Sequence, residues 1–338
     1  MKTLFKAALL GAAATAVFAV TPALAADGVC LITKNNTNPF FVKMKEGAEA
    51  KAKELGLEFQ AFAGKVDGDA GPQIEAIENC VASGAKGILI TASNDSVAPA
   101  LKDARAAGIL VIALDTPIAD PEAQDMTFAT DNFEAGLLIG KWAAATMGDT
   151  SGAKIAMLDI NKDNISVDVA RDTGFLKGFG IEVPDLTVMG SETDARVIGH
   201  ETSDANPEGG LRAMETLLAK DPDINVVYTI NEPAAEGACQ ALKNAGKEGQ
   251  AIIVSVDGGC PGVASVKSGV IGATSQQYPL LMASKGIEAI VAFAKDGTKP
   301  TVSEGLSFFN TGVNLITDKP AEGVPSLDST KGTELCWG

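Results

Sequence analysis

Short apolar runs recur along the chain, separated by longer stretches in which apolar residues return every three or four positions. The runs are Val29–Thr33, Leu57–Phe62, Gly87–Thr91, Leu110–Asp115, Lys154–Asp159, Val226–Asn231, Ile252–Asp257 and Ile271–Gln276. Their length and β-branched content predict strands. The stretches between them predict helices. In the first of these, Phe41, Met44, Ala48, Ala52 and Leu55 share one face, Lys43, Lys45, Glu49 and Lys53 point away, and Gly56 stops the helix. Alternating strands and helices imply parallel sheets covered on both faces, the α/β class. The strands are too many for one small sheet, so two Rossmann-like lobes are expected. No low-complexity linker separates them, and the lobes should touch through short crossings.

The first 25 residues break this pattern. Lys2 and Lys6 precede an apolar stretch from Ala7 to Val20, Thr21-Pro22 interrupts it, and Ala23-Leu24-Ala25 has the small-residue form of a cleavage site. A membrane anchor is the competing reading, but the run is shorter than the roughly 20 residues a spanning helix needs. A signal peptide covering 1–25, cut after Ala25, is therefore expected, and the protein reads as exported. Position 26 is not Cys, so lipid attachment there is not available.

Composition narrows the partners. With 27 Lys and Arg against 43 Asp and Glu the chain is strongly acidic, which argues against a nucleic-acid partner. One histidine, His200, excludes HExxH and two-histidine metal sites, and it reads as a solvated loop residue. The five cysteines are Cys30, Cys80, Cys239, Cys260 and Cys336. Export permits disulfides, the odd number leaves at least one cysteine without an intramolecular partner, and no CxxC occurs.

The predicted strands end in short polar residues. Thr33 leads into Lys34-Asn35-Asn36-Thr37-Asn38, and further ends fall at Thr91, Asp115, Asp159, Asn231, Asp257 and Gln276-Gln277. Ligands of open α/β sheets bind beyond the carboxyl ends of the strands. Carboxylates and carboxamides with few cations suit a neutral polyhydroxylated ligand and would repel a phosphate. Phe40-Phe41 adds apolar faces beside them, the combination that a sugar ring needs. Chemistry motifs do not appear. There is no GxGxxG after the first strand and no GxSxG. Gly136–Trp142 misses the Walker spacing, and Asp67-Gly68-Asp69 lacks the remaining ligands of a calcium loop. No cofactor and no metal is implied, and an enzyme is weakly supported.

Asn38-Pro39-Phe40-Phe41 with Lys45-Glu46-Gly47-Ala48, Ile112-Ala113-Leu114-Asp115, Thr130-Asp131-Asn132, Asn231-Glu232 and Val256-Asp257-Gly258 resembles, in order and spacing, the ribose-type periplasmic sugar-binding proteins of ABC transporters. Ile165-Ser166-Val167-Asp168, Thr229-Ile230-Asn231-Glu232-Pro233 and Gly258-Gly259-Cys260-Pro261-Gly262 are similar to a fructose-binding subgroup. The resemblance implies a type I periplasmic binding protein, two lobes with a three-crossing hinge that close on a monosaccharide. It implies an N-terminal lobe of 26–130 plus 278–306 and a C-terminal lobe of 131–277 plus 307–338. The implied partner is a membrane permease, and a monomer is expected.

By the same resemblance Asn38, Asp115, Asn231, Asp257 and Gln277 would bond sugar hydroxyls, and Phe40 and Phe41 would stack on the ring. Thr91, Asp168 and Arg171 complete the candidate set. The chain departs from the ribose pattern at Thr116, Val169, Ala205 and Val256, where arginines and rings give way to smaller groups. A roomier pocket and a hexose, fructose-like, are therefore expected. A chemotaxis or signalling receptor would use the same closed state. A sugar-responsive repressor is disfavoured because no basic helix-turn-helix precedes the first strand, and an exported sugar-modifying enzyme would show turnover. By register Cys30 and Cys80 belong to one lobe, Cys260 and Cys336 would tie the tail to the other, and Cys239 is left free.

Each candidate also has a plainer role. Asn38 and Asn231 could cap helices, and Asp115 and Asp257 could cap turns. Phe40 and Phe41 are consecutive helical positions, which should not both face a core. Thr91 could merely end a strand. Arg171 reads as a surface helix residue, since charges are rarely buried, and Trp142 reads as core.

Overall fold

The computed structural model describes residues 28–338, so the expected signal peptide lies outside the described residues. The first lobe runs β1 (Gly28–Thr33), α1 (Pro39–Glu54), β2 (Glu58–Ala63), α2 (Gly71–Ala82), β3 (Gly87–Ile90), α3 (Ala98–Ala106), β4 (Leu110–Leu114) and β5 (Met126–Ala129). The chain then crosses into α4 (Asn132–Met147), β6 (Ile155–Asp159), α5 (Ser166–Phe179), β7 (Val197–Thr202), α6 (Pro207–Lys220), β8 (Val226–Thr229), α7 (Glu232–Asn244), β9 (Ile252–Asp257), α8 (Cys260–Ser268) and β10 (Ala273–Gln276). It returns for α9 (Pro279–Asp296) and β11 (Phe309–Asn310), and crosses a third time to β12 (Asn314–Ile316) and α10 (Ser329–Leu335).

The two sheets are copies of one plan. Their strand orders are β11-β5-β4-β3-β1-β2 and β12-β10-β9-β8-β6-β7. Apart from the antiparallel β12, the strands pair in parallel. In each lobe the inner strands read as unbroken apolar runs because helices cover both faces. β3, β4, β6 and β8 are buried throughout. Separate apolar clusters fill the two faces of each sheet, one holding Ile88, Val111 and Leu101, another holding Met157, Phe175 and Trp142.

The eight predicted strands all form. Four further strands escaped the pattern for physical reasons. β7 lies at a sheet edge and is half-buried along its whole length, so it needs no apolar run. β5, β11 and β12 are short, and β11 and β12 are strands that extend a sheet after a crossing. Because β11 pairs with β5, the third crossing lies between Asn310 and Asn314, not at 306. His200 sits on β7, not in a loop.

Two disulfides brace the lobes. Cys30 on β1 bonds Cys80 on α2, and Cys260 at the start of α8 bonds Cys336 near the chain's end. Cys239 is free, and burial lifts its thiol to about 11, which keeps it unreactive.

Candidate functional site

Helices α1 and α7 each begin with an asparagine cap. Asn38 Oδ1 accepts from the Phe40 amide at 3.0 Å, and Asn231 Oδ1 accepts from the Ala234 amide at 3.0 Å. Prolines at the first turn of both helices fix the entry angle. These caps stand at the carboxyl ends of the sheets, so capping and ligand contact fall on the same residues. A small cavity lies where the two sets of strand ends face each other. It is lined from the first lobe by Lys34, Asn38, Phe40, Phe41, Asp67 and Asp115. Ile160, Val167, Arg171, Ala205, Ile230, Asn231, Asp257 and Gln277 supply the rest.

Asp115 follows β4 and Asp257 ends β9, which hold the same place in the two sheets. Both are buried, and both have positive φ, 62° and 138°. Side chains other than glycine pay for such backbone, typically about 1–3 kcal/mol, and it concentrates at ligand sites. Asp115 Oδ2 accepts from its neighbour Thr116 Oγ1 at 2.9 Å, while Oδ1 has no hydrogen-bond partner among the described residues. Asp257 Oδ1 accepts from Gln277 Nε2 at 2.7 Å. Burial raises the Asp257 carboxyl to about 6, against the pull of Arg171 and Gln277 and with the repulsion of Asp115.

Glu232 holds the turn that strains Asp257. Its carboxylate accepts from the Gly258 amide at 2.9 Å, the Gly259 amide at 3.1 Å and Thr274 Oγ1 at 2.8 Å. Gly258 must be glycine here, since its φ is 64° and a Cβ would lie 2.3 Å from that of Gln276.

Arg171 is the hub of the cavity, not a surface residue. Its Nε donates to Asn132 Oδ1 at 2.7 Å, Nη1 to the Ile230 carbonyl at 3.0 Å and Nη2 to Gln277 Oε1 at 3.3 Å. Nη2 also lies 3.7 Å from Asp115 Oδ1 across the cleft. Its charge is tolerated because each guanidinium nitrogen finds an acceptor. A charged fork is thus present in the cavity after all, supplied by Arg171 two places beyond Val169, and the expected roominess is reduced accordingly.

Phe40 and Phe41 are both buried, contrary to the helical argument, because α1 starts at the seam of the lobes and has apolar partners on more than one side. The rings meet edge to face at 5.5 Å, and Phe40 also meets Trp337 edge to face at 5.6 Å. Two candidates stand outside the cavity. Thr91 Oγ1 accepts from the Lys34 amide at 3.1 Å and its carbonyl accepts from Gln73 at 2.8 Å, so it shapes the turn after β1. Asp168 Oδ2 accepts from the Ile160 amide at 2.7 Å and is fully buried behind the cavity wall. Sequence reasoning passed over Lys34, Asp67 and Trp337. Lys34 adjoins a strand end and was within reach of the pattern, while Asp67 and Trp337 arrive from loop and tail with no local signal.

The cavity offers carboxylate acceptors, amide donors and one guanidinium beside two aromatic rings. Its lining contains no serine, cysteine or histidine.

Residues 29–299 match the periplasmic binding protein domain family. The chain is 32% identical over 290 residues to a ribose import binding protein of Haemophilus influenzae, covering 85% of this chain and 90% of that one. It is 29% identical to a D-allose-binding periplasmic protein of Escherichia coli, covering 82% and 88%. Among solved structures, an ABC transporter solute-binding protein from Actinobacillus succinogenes with bound D-allose superposes with a TM-score of 0.74 at 21% identity, covering 91% of this chain and 99% of that one. A carbohydrate transporter solute-binding protein from Agrobacterium radiobacter in complex with D-arabinose gives 0.75 at 24% identity, covering 92% and 99%. Two copied α/β lobes, a polar cavity at their facing strand ends and a match over most of its length place this chain in the periplasmic binding protein family.

Proposed function

We propose that the protein captures one monosaccharide between its lobes in the periplasm and delivers it to an ABC importer in the membrane. It is a binding protein and not an enzyme, as its relatives are import binding proteins. The observation that carries the reading is the pair Asp115 and Asp257. They are equivalent strand-end carboxylates of two lobes, held at positive φ, lining one small cavity. Asn38, Asn231, Gln277 and Arg171 complete the hydroxyl contacts, and Phe40 and Phe41 cover the apolar face of the ring.

The finer reading is a hexose, fructose-like. Small residues at Thr116 and Ala205 and the stretches around Ile165, Asn231 and Gly258 support it. Ribose, allose and arabinose are among the ligands that relatives and neighbours are named for, and they belong in the same test. A thermal-shift panel of pentoses and hexoses, followed by calorimetric titration, decides between them, since a ligand that binds only the folded state raises the melting temperature. A single monosaccharide bound at one equivalent and recovered unchanged is the expected result. A panel with no shift for any monosaccharide would overturn the proposal, and a shift confined to pentoses would overturn the hexose reading alone.

A further inference from the structure

Behind the cavity wall, the second lobe gathers Asp159, Asp172 and Glu192 around one imidazole, His200. Asp172 is fully buried on α5, and neither of its oxygens has a hydrogen-bond partner among the described residues. Its nearest cationic atom is His200 Nδ1, 3.5 Å from Oδ2. Asp159 Oδ2 lies 2.8 Å from the same nitrogen, and its Oδ1 is likewise unpartnered. One imidazole is a poor match for this much buried carboxylate, because an uncompensated buried charge is costly.

We infer that Asp159, Asp172 and His200 form a binding site for a divalent transition-metal ion in the second lobe. The three ligand atoms lie within 4.8 Å of one another. With metal–ligand bonds of about 2.0–2.2 Å, neighbouring ligands stand about 3.0–3.5 Å apart, and the separations of 2.8 and 3.5 Å at Nδ1 bracket that range. The other ring nitrogen, Nε2, is 2.9 Å from Glu192 Oε1. A carboxylate on the far nitrogen is the usual outer contact of a metal-binding histidine, and it leaves Nδ1 to face the ion once the proton it shares with Asp159 is released to solvent on metal binding. One nitrogen with two carboxylate oxygens suits Zn²⁺ or Mn²⁺ better than Ca²⁺, which prefers an all-oxygen shell. His200 is only half-buried on the edge strand β7, which gives the ion a path from solvent. The ion ties β6, α5 and β7 together. Because Arg171 and Asp172 are neighbours on α5, it would also stiffen the helix that presents the guanidinium to the cavity.

The test uses the protein beginning at Ala26 in a Cys239→Ser background, which removes the free thiol as a rival ligand. After chelator treatment, ZnCl₂, MnCl₂ and CaCl₂ are titrated separately by calorimetry and thermal melting. One equivalent of Zn²⁺ or Mn²⁺ with a raised melting temperature is expected, and CaCl₂ should do less. Asp172→Asn, which keeps the shape of the side chain, and His200→Gln should each weaken binding at least about tenfold. Glu192→Gln should weaken it by roughly tenfold through the outer contact. No uptake of Zn²⁺ or Mn²⁺ by the parent at millimolar metal overturns the site. So does uptake undiminished in the variants that fold, which would place the ion on surface carboxylates. Should Asp172→Asn and His200→Gln fail to fold, the half-buried Glu192→Gln decides.

Discussion

Asp115 and Asp257 are asked to do two incompatible things, which makes their roles separable. As turn residues they sit in backbone that glycine would hold without strain; as acceptors they must keep a carboxylate. Asp257→Gly should therefore melt no lower than the parent while losing sugar. Asp115→Asn and Asp257→Asn keep the shape but lose a charged acceptor, worth about 1.5–3 kcal/mol, and should weaken binding roughly tenfold to a hundredfold in calorimetry. Parent-like affinity in both Asn variants would move the sugar elsewhere. The raised Asp257 carboxyl adds a pH signature. Its folded value of about 6 exceeds the ordinary carboxylate value near 4, so the folded state keeps a proton that the unfolded chain has lost between those values. This group thus lowers the stability of the unliganded protein as pH rises from about 4 to 6, a trend that Asp257→Asn should lack. Sugar needs the charged acceptor, so affinity should fall up to about tenfold from pH 7 to pH 5. Flat affinity over that range would deny Asp257 its role. Both aspartates were legible in the sequence because each closes an apolar run. Arg171 stood among the candidates, but its burial was not legible, because its partners Asn132, Ile230 and Gln277 are distant in the chain and only the fold brings acceptors around it.

At the scale of elements, α4 and α5 are packed backbone against backbone. A Cβ on Gly136 would meet the Arg171 carbonyl oxygen at 2.0 Å, one on Gly140 that of Phe175 at 2.2 Å. The contacts are reciprocal, since Gly174 faces the Phe133 carbonyl and Gly178 that of Leu137, at 2.3 Å each. Two pairs of glycines four residues apart thus let the helices close to a distance that no side chain permits. The function of this closeness is visible one residue away: α5 carries Arg171, and its position over the cavity is set by α4. Gly136→Ala gains helix propensity of up to about 1 kcal/mol but forces the backbones apart, which commonly costs about 1–3 kcal/mol in a packed core. A lower melting temperature together with weaker sugar binding is expected in paired melting and titration measurements. A variant as stable as the parent would show that the helices slide apart without cost. The glycines were present in the sequence, and Gly136 was noticed only as a failed phosphate loop. Their pairing across two helices needs a register between elements, which periodicity along one element does not contain. The same limit hid β7, whose edge position removed the apolar run that marks the inner strands.

At the scale of the molecule, the two lobes meet at a cavity, and the chain's end joins them beside it. Cys336 is fixed to Cys260 on α8 in the second lobe, and the Trp337 carbonyl accepts from the Cys260 amide at 2.9 Å. The indole Nε1 donates to the Gln277 carbonyl at 2.7 Å, at the second crossing. From this anchorage the ring reaches into the first lobe's core and packs edge-on against Phe40, so it backs the residue proposed to cover the sugar. Arg171 with Asp115, and Ser166 Oγ donating to the Pro117 carbonyl at 3.3 Å, span the same seam. Contacts that exist only when the lobes are shut bias the equilibrium toward the closed form, and sugar affinity rises with the closed population. An aromatic pair contributes about 0.5–1.5 kcal/mol beyond its area. Trp337→Ala should therefore lower affinity roughly twofold to tenfold. The paired Cys260→Ser, Cys336→Ser variant should do the same by freeing the tail. Small-angle scattering with saturating sugar should still show compaction in both. The chain has two tryptophans, and the other, Trp142, is buried in the second lobe with its Nε1 on the Lys319 carbonyl. In a Trp142→Phe background the fluorescence of Trp337 alone should report closure as sugar is added. Unchanged emission through saturation, with Trp337→Ala binding like the parent, would show that the tail closes over nothing the sugar moves.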